Sequence, residues 1–317
     1  MRDGDVLVEV NGLTKRYGRE LAVDRVDFTL RAGTVTGFLG PNGAGKSTTL
    51  RMMVGLTAPT AGEARILGHR FHDLPDAPRA VGSIVDGVGH HPGRRAIDEL
   101  RVSAAAIGVD DARCTELLDT VGLAGAERKR VGDFSLGMRQ RLGIAQALLG
   151  DPRVLLLDEP ANGLDPEGIG WVRTLLRRLA DEGRAVLVSS HLIDEIARLA
   201  DDVLVIDQGR LVATGSVSEL LARAAGHGIV AVRSEDDVRL ADAIAPAMPA
   251  DTGSVERAPD GLRVSGLDAA TVGRIARDAG LALHELRTTG AGLEDVFLGL
   301  TGNGRRRTGS TTDEVDA

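Results

Sequence analysis

The chain has 317 residues, long enough for one large hydrophobic core or two smaller ones. Its net charge is -8, from 38 basic and 46 acidic residues, which argues against a general nucleic-acid-binding surface. A single cysteine, Cys114, excludes an intramolecular disulfide and is typical of a reducing compartment. We expect no secretion signal and no membrane-spanning helix, because the amino terminus carries acids and no stretch reaches the ~20 apolar residues that cross a bilayer. Any membrane role then requires a partner.

Two segments with alternating apolar and polar residues predict strands at the start of the chain, residues 6–13 and 22–30. Residues 15–18 between them are expected to form a turn. This turn contains Tyr17, the only tyrosine. Its ring is either a half-buried turn aromatic or a surface on which an adenine ring stacks.

The segment GPNGAGKS, residues 40–47, lies between an apolar strand pattern and a helical pattern and matches GxxxxGK[ST]. Its glycines let the backbone curl so that amide groups point at phosphate oxygens, and the following helix offers its positive end to the same anion. Lys46 is placed to reach the outer phosphates and the Ser47 hydroxyl to ligate Mg²⁺. The residues predicted to contact the nucleotide here are Gly40, Pro41, Asn42, Gly43, Ala44, Gly45, Lys46, Ser47 and Thr48.

A mixed segment follows the first helix. The patterns predict strands over residues 64–67 and 81–85, an irregular segment over 71–79, and helices over 98–107 and 111–121 that form an insertion. The loop after Asp86 contains His90 and His91, which we expect to be solvated rather than metal ligands, because adjacent residues rarely face one ion. A further helix is expected to begin after Phe134, with Ser135 as its N-cap.

The segment VLLLDEP, residues 154–160, predicts a buried parallel strand that ends in Asp158 and Glu159. Ligands gather at the carboxyl ends of strands in open α/β sheets. Asp158 is therefore placed to hold Mg²⁺, and Glu159 is free to orient an attacking water. A helix capped by Asp165 and a second buried strand follow, and just past that strand lies His191. The imidazole is expected either to contact a γ-phosphate or to be a structural hydrogen-bonding group.

From about residue 226 strands and helices alternate over shorter lengths, which predicts a small α+β appendage that ends in a helix over residues 293–300. The expected domains are residues 1–225, an accessory domain over 226–304 and a disordered tail over 305–317. The fold class is α/β, a P-loop ATPase core with a helical insertion and this appendage.

The order of these motifs resembles the nucleotide-binding subunit of an ABC transporter across residues 6–225. Residues 40–47 match the Walker A motif and residues 154–159 the Walker B motif. Residues 162–165 resemble the D-loop, and residues 134–138 fall at the ABC signature. The resemblance implies that Tyr17 stacks on adenine, that His191 is the switch histidine, and that Glu159 is the catalytic carboxylate. It also implies catalytic roles for Lys46 and His191 and nucleotide contacts across a dimer by Ser135, Gly137 and Asp165.

Two positions depart from the family pattern. The signature is FSLGM instead of the usual LSGGQ, so Leu136 and Met138 replace a glycine and a glutamine. This variant is similar to that of drug and peptide-antibiotic exporters, as is the segment over residues 293–302. Asp86 stands at the position of the Q-loop glutamine, where its carboxylate could approach Mg²⁺.

The resemblance implies an ATP- and Mg²⁺-dependent ATPase that powers drug or antibiotic efflux. Its partners are expected to be a separate polytopic permease and a second ATP-binding subunit, identical or not, at the cytoplasmic face of the membrane. A soluble ABC ATPase acting on ribosomes or DNA is the alternative, but such proteins carry two cassettes or a long coiled coil, and this chain shows neither. A regulatory cassette that does not hydrolyse ATP is a third possibility. Against it stand the intact residues Lys46, Asp158, Glu159 and His191.

Overall fold

The computed structural model describes residues 5–87, 89–220, 229–249, 253–258 and 260–289. The chain divides into two compact units, Met1–Gly215 and Ser216–Ala317. The predicted boundary at residue 225, the predicted helix over residues 293–300 and the predicted tail over 305–317 lie outside the described residues.

The strands of the first unit are β1 (Val6–Tyr17), β2 (Glu20–Arg31), β3 (Thr34–Leu39), β4 (Ala61–Ile66), β5 (Val81–Ile84), β6 (Val154–Asp158), β7 (Ala185–Ser190), β8 (Asp202–Asp207) and β9 (Arg210–Ser216). Its helices are α1 (Lys46–Met53), α2 (Ala77–Ala80), α3 (Ala96–Ala106), α4 (Asp111–Thr120), α5 (Leu136–Ala147), α6 (Pro166–Asp181) and α7 (Ile193–Leu199). The irregular segment predicted over residues 71–79 is wrong in part, because it includes a 3-10 turn, Phe71–Asp73, and the start of α2.

An antiparallel sheet of order β2-β1-β4 includes the first strands of the chain. The predicted turn over residues 15–18 is wrong, because β1 continues to Tyr17, which pairs with Glu20. The chain reverses at Gly18 and Arg19 instead. Hydrogen bonding to β2 extends the strand through polar residues whose alternation is weak, so pairing decides their conformation.

The main sheet has the order β5-β6-β7-β3-β8-β9, and its first five strands are parallel neighbours. Every residue of β3, β6 and β7 is buried, as expected for apolar strands covered on both faces. The parallel register places Asp158 beside Ser189 and Leu39 beside Ser190. The ends of these three strands therefore meet at one edge of the sheet, where the phosphate loop begins.

The helical insertion is joined to the main sheet through α5. Arg141 of α5 donates from Nη1 to the Val121 carbonyl at 2.9 Å, and its guanidinium lies 4.2 Å from the centroid of the Trp171 ring on α6. A cation over an indole ring stabilises such a contact by about 1 kcal/mol. Arg141 thus ties the end of α4 to α5 and α6.

The loop after Asp86 buries one of its two histidines. The His90 side chain is 1% exposed; its Nε2 lies 3.3 Å from the Arg139 carbonyl oxygen and its Nδ1 3.9 Å from Oε1 of Glu99. Burial lowers the pKa of His90. The prediction of a solvated His90 is therefore wrong, because the loop folds against α5, whereas His91 is exposed as predicted.

The second unit is a small α+β structure. An antiparallel sheet of order β11-β12-β10-β13 is formed by β10 (Ile229–Ser234), β11 (Ser254–Ala258), β12 (Gly261–Ser265) and β13 (Leu283–Thr289). Helices α8 (Asp237–Ile244) and α9 (Ala269–Asp278) pack on it through apolar residues such as Leu240 and Val272. Asp268 caps α9 as predicted, accepting from the Thr271 amide at 2.6 Å. Among the described residues no helix is long and apolar enough to cross a membrane.

Candidate functional site

The phosphate loop connects β3 to α1 at the edge of the main sheet. Gly45, the N-cap of α1, has φ +110°, and a Cβ built on it would lie 2.6 Å from the Ala22 carbonyl oxygen. Only glycine combines this backbone conformation with such a close approach. The loop can therefore curl tightly before the helix starts, with Ser47 and Thr48 half-buried in the first turn of α1.

Lys46 lies with its ammonium group across the loop. The residue is 6% exposed, and Nζ donates to the carbonyl oxygens of Gly40 at 2.6 Å and Pro41 at 3.2 Å. Nζ also lies 4.0 Å from Oε1 of Glu159. Burial lowers the pKa of Lys46, and the charges of Glu159 and Asp158 oppose that change. The cation is thus held beside two carboxylates at the entrance to the phosphate loop.

A serine on the neighbouring strand connects the two carboxylate residues. The Ser189 hydroxyl donates to Oδ1 of Asp158 and accepts from the backbone amide of Glu159 at 3.0 Å. Asp158 is buried, so this hydrogen bond compensates part of the cost of removing a carboxylate from water. Ser189 was not predicted as a site residue. Its sequence signal is a hydroxyl residue at the end of an apolar strand, but the role of that hydroxyl depends on the pairing of β6 with β7.

Glu159 has an unusual backbone conformation and a histidine partner. Its φ is +50°, in the left-handed region that costs a non-glycine residue about 1–3 kcal/mol. Nδ1 of His191 lies 2.9 Å from Oε2 of Glu159, and Nε2 of Gln140 donates to the Glu159 carbonyl at 3.5 Å. Strained residues held by several partners cluster at active sites. Gln140, buried in α5, is a second site residue that was not predicted from the sequence.

His191 and Glu159 line a cavity of about 230 Å³ together with residues of α6 and α7. Glu195 of α7 also lines this cavity. Burial raises the pKa of Glu195, and the charge of Glu159 acts in the same direction while His191 opposes it.

Asp86 forms an ion pair with Arg51 of α1. Nε of Arg51 lies 2.9 and 2.7 Å from the two carboxylate oxygens, and Nη2 lies 2.7 Å from Oδ1. This pairing raises the pKa of Arg51. A Mg²⁺ ligand role for Asp86 would require its carboxylate to leave Arg51, and that role stays a prediction.

The signature and D-loop segments lie at helix starts. Ser135 caps α5, as predicted, by accepting from the Met138 amide at 3.2 Å, and Asp165 caps α6 by accepting from the Gly168 amide at 2.8 Å. Gly137 is half-buried in the first turn of α5. Tyr17 is 45% exposed, with Nζ of Lys15 4.9 Å from its ring centroid.

The structure therefore brings together Lys46, Asp158, Glu159 and His191 through direct contacts and through Ser189. It connects the signature helix to them by the hydrogen bond of Gln140. Their arrangement suits nucleotide chemistry, since a buried cation, a buried carboxylate and a carboxylate with a histidine partner surround the start of a phosphate-binding loop.

Comparisons with known proteins identify the family. The protein-family model described as ABC transporter matches residues 23–162. A second family model, described as a domain of unknown function, matches residues 228–294. The bacitracin transport ATP-binding protein BcrA of Bacillus licheniformis is 44% identical over 208 residues, which are 65% of this chain and 68% of that protein.

The daunorubicin resistance ATP-binding protein DrrA3 of Streptomyces coeruleorubidus is 36% identical over 314 residues, 95% of this chain and 98% of that protein. The solved structure of MJ0796, described as a dimeric bacterial ABC transporter cassette, is 25% identical with a TM-score of 0.62, over 67% of this chain and 99% of that one. With the geometry of the phosphate loop and the carboxylates, these matches establish that the chain belongs to the ABC transporter family, as an ATP-binding and ATP-hydrolysing subunit.

Proposed function

We propose that this chain is the ATPase subunit of an exporter for a drug or a peptide antibiotic. The support is the similarity to BcrA and DrrA3, whose names refer to bacitracin transport and daunorubicin resistance. The similarity to DrrA3 extends over both units of the chain. In the proposed organisation residues 1–225 hydrolyse ATP, residues 226–304 form an accessory domain, and residues 305–317 form a tail.

The single observation that supports hydrolysis at this site is the contact between Glu159 and His191, beside Lys46. In the proposed mechanism Lys46 binds the outer phosphates and the Glu159 carboxylate accepts a proton from the attacking water. His191 holds that carboxylate through Nδ1 and presents its other nitrogen to the γ-phosphate. Tyr17 supplies a surface for the adenine ring.

Mg²⁺ fits the oxygen donors at this site. Asp158 is a buried carboxylate at the end of β6, and Ser47 offers a hydroxyl in the first turn of α1. Hard cations prefer oxygen ligands of this kind, and phosphate oxygens and water molecules supply the other ligands. We assign Ser47 and Asp158 as the residues that would hold Mg²⁺, which neutralises phosphate charge when bound.

Replacing Asp158 by asparagine tests this assignment. The amide oxygen can still accept from Ser189, but the negative charge that attracts Mg²⁺ is gone. We expect the ATP affinity of Asp158→Asn to become almost independent of Mg²⁺, whereas the wild-type protein binds ATP more tightly with Mg²⁺ than with EDTA. Titration of a fluorescent ATP analogue under both conditions measures this. An unchanged Mg²⁺ dependence would contradict the assignment.

The proposed assembly is a head-to-tail pair of ATP-binding subunits attached to a separate polytopic permease at the cytoplasmic face of the membrane. MJ0796 is described as dimeric, and the relatives named above are ATP-binding proteins of transport or resistance systems. In this assembly Ser135 and Gly137 contact the nucleotide held by the second subunit, and Asp165 lies near the same interface.

Affinity purification from detergent-solubilised membranes of the native host tests the proposal. We expect the tagged chain to recover a polytopic membrane protein, in larger amounts when the Glu159→Gln variant is loaded with ATP. Recovery of ribosomal or DNA-bound proteins without a membrane protein would overturn the export proposal and leave the ATPase assignment intact.

A further inference from the structure

The third position of the signature carries a leucine at the protein surface. Leu136 is the first residue of α5 and is 48% exposed. The usual family pattern has a glycine at this position. An apolar side chain at an exposed helix start gains stability only from the atoms that it contacts, so these contacts determine what it does.

Leu136 lies over Gly163, in the turn between Glu159 and α6. Gly163 has φ +76°, and a Cβ built on it would lie 2.1 Å from Cδ2 and 3.2 Å from Cγ of Leu136. The leucine therefore fills the space that any larger residue at position 163 would need.

A second contact repeats this arrangement with the roles exchanged. A Cβ built on Gly137 would lie 3.2 Å from Cδ2 of Leu164. The pairs 136–137 and 163–164 thus interdigitate, with each leucine over the glycine of the other pair. Interfaces packed in this way transmit small displacements because they leave little free volume.

The turn that carries Gly163 is hydrogen-bonded to the residue that binds His191. The backbone amide of Asn162 donates to the Glu159 carbonyl at 3.1 Å. Gln140 of α5 donates to the same oxygen. Helix α5 therefore reaches the Glu159 backbone by two routes, one direct and one through the leucine–glycine contacts.

We infer that Leu136 is a positioning residue for ATP hydrolysis. Its contact with Gly163 fixes the turn over residues 162–165 and, through Asn162, the backbone from which the Glu159 carboxylate projects. Leu136 and Gly163 act as a matched pair, so the departure from the usual signature is coupled to a glycine in the D-loop. The inference rests on the proposed role of Glu159.

A double-mutant cycle tests the pairing. The full chain is compared with Leu136→Ala, Gly163→Ala and the double variant, and kcat and KM for Mg·ATP are measured for each. We expect both single variants to lower kcat with little change in KM, since Lys46 and the phosphate loop are unchanged in both. Gly163→Ala meets both the backbone strain of its φ and the Leu136 side chain, so it has the larger effect.

In the double variant the loss caused by Gly163→Ala should be smaller than in the wild-type background, by about threefold or more, because the opposing side chain has been removed. If the fold-loss in kcat of the double variant equals the product of the two single losses, the inference is overturned. The inference is also overturned if the variants change only KM. Leu56→Ala, a truncation of a leucine that is 66% exposed outside the site, is the matched control and should leave kcat unchanged. If Gly163→Ala fails to fold, Gly163→Asn replaces it, since asparagine tolerates positive φ.

Amide hydrogen exchange gives a readout that does not depend on turnover. Leu136→Ala should raise exchange at the Asn162 and Leu164 amides, while Leu56→Ala should not. Unchanged protection there would overturn the inference. The proposed role of Glu159 is tested separately, because wild-type turnover by Glu159→Gln would contradict it. A double-mutant cycle in which the two losses multiply would overturn only the pairing of Leu136 with Gly163.

Discussion

Replacing Glu159 by glutamine is expected to lower the rate of ATP hydrolysis by roughly 10²–10⁴-fold, the contribution of a positioned general base. Glutamine keeps the size of the side chain and can still hydrogen-bond to His191, but it cannot accept a proton from water. ATP binding should persist, because Lys46 and the phosphate loop are unchanged. A subunit that binds ATP without hydrolysing it should accumulate as a dimer, which size-exclusion chromatography with and without ATP measures.

The matched control for this variant is Glu116→Gln on α4, which makes the same carboxylate-to-amide change at a side chain that is 62% exposed outside the site. Its turnover should equal that of the wild-type protein. Hydrolysis by Glu159→Gln at the wild-type rate would remove Glu159 from the catalytic role and leave the buried charges of Lys46 and Asp158 to account for the reaction.

Replacing Lys46 by alanine is expected to weaken ATP binding itself. Each hydrogen bond from a charged donor contributes about 1.5–3 kcal/mol, so loss of the Nζ contact corresponds to an increase in Kd of roughly 10–100-fold. Titration of a fluorescent ATP analogue gives this value directly. The result would distinguish the roles of the two residues, since Glu159→Gln lowers the turnover rate and Lys46→Ala lowers the affinity for ATP.

Thermal unfolding without nucleotide shows whether Lys46→Ala acts through folding. Removal of the Lys46 ammonium takes away a desolvation cost but also its attraction to Glu159 and Asp158, and the melting temperature measures the balance of the two. Lys46→Arg is the second control. It keeps the charge, but a planar guanidinium differs in shape from the ammonium held by the Gly40 and Pro41 carbonyls. Wild-type ATP affinity in Lys46→Ala would contradict the assignment.

Much of the fold was predictable because the apolar runs and capping residues in the sequence coincide with the buried strands and helix starts of the structure. The apolar run before Asp158 is completely buried in β6, and Asp165 and Asp268 cap helices where the sequence places them. Such signals depend on residues close together in the chain, so a single sequence contains them. The phosphate loop was predictable for the same reason, since its spacing and flanking elements lie within about twenty residues.

The errors occur where contacts between separate elements decide the outcome. Tyr17 belongs to a strand because β2 pairs with it, and His90 is buried because its loop packs on α5. The pairing of Asp86 with Arg51, across 35 positions of sequence, has no local signal. Ser189 illustrates the same limit within the site, because only the parallel register of β6 and β7 places its hydroxyl between the Asp158 carboxylate and the backbone amide of Glu159.

The contact between Arg141 and Trp171 has a practical consequence, because Trp171 is the only tryptophan in the chain. Indole emission responds to the electric field of a nearby charge, and here that charge belongs to the helix that begins at the signature. The unlabelled protein therefore carries its own optical reporter at the junction between α5 and α6. Changes in emission on adding nucleotide would follow the movement of these two helices in real time, without a dye and without altering a residue.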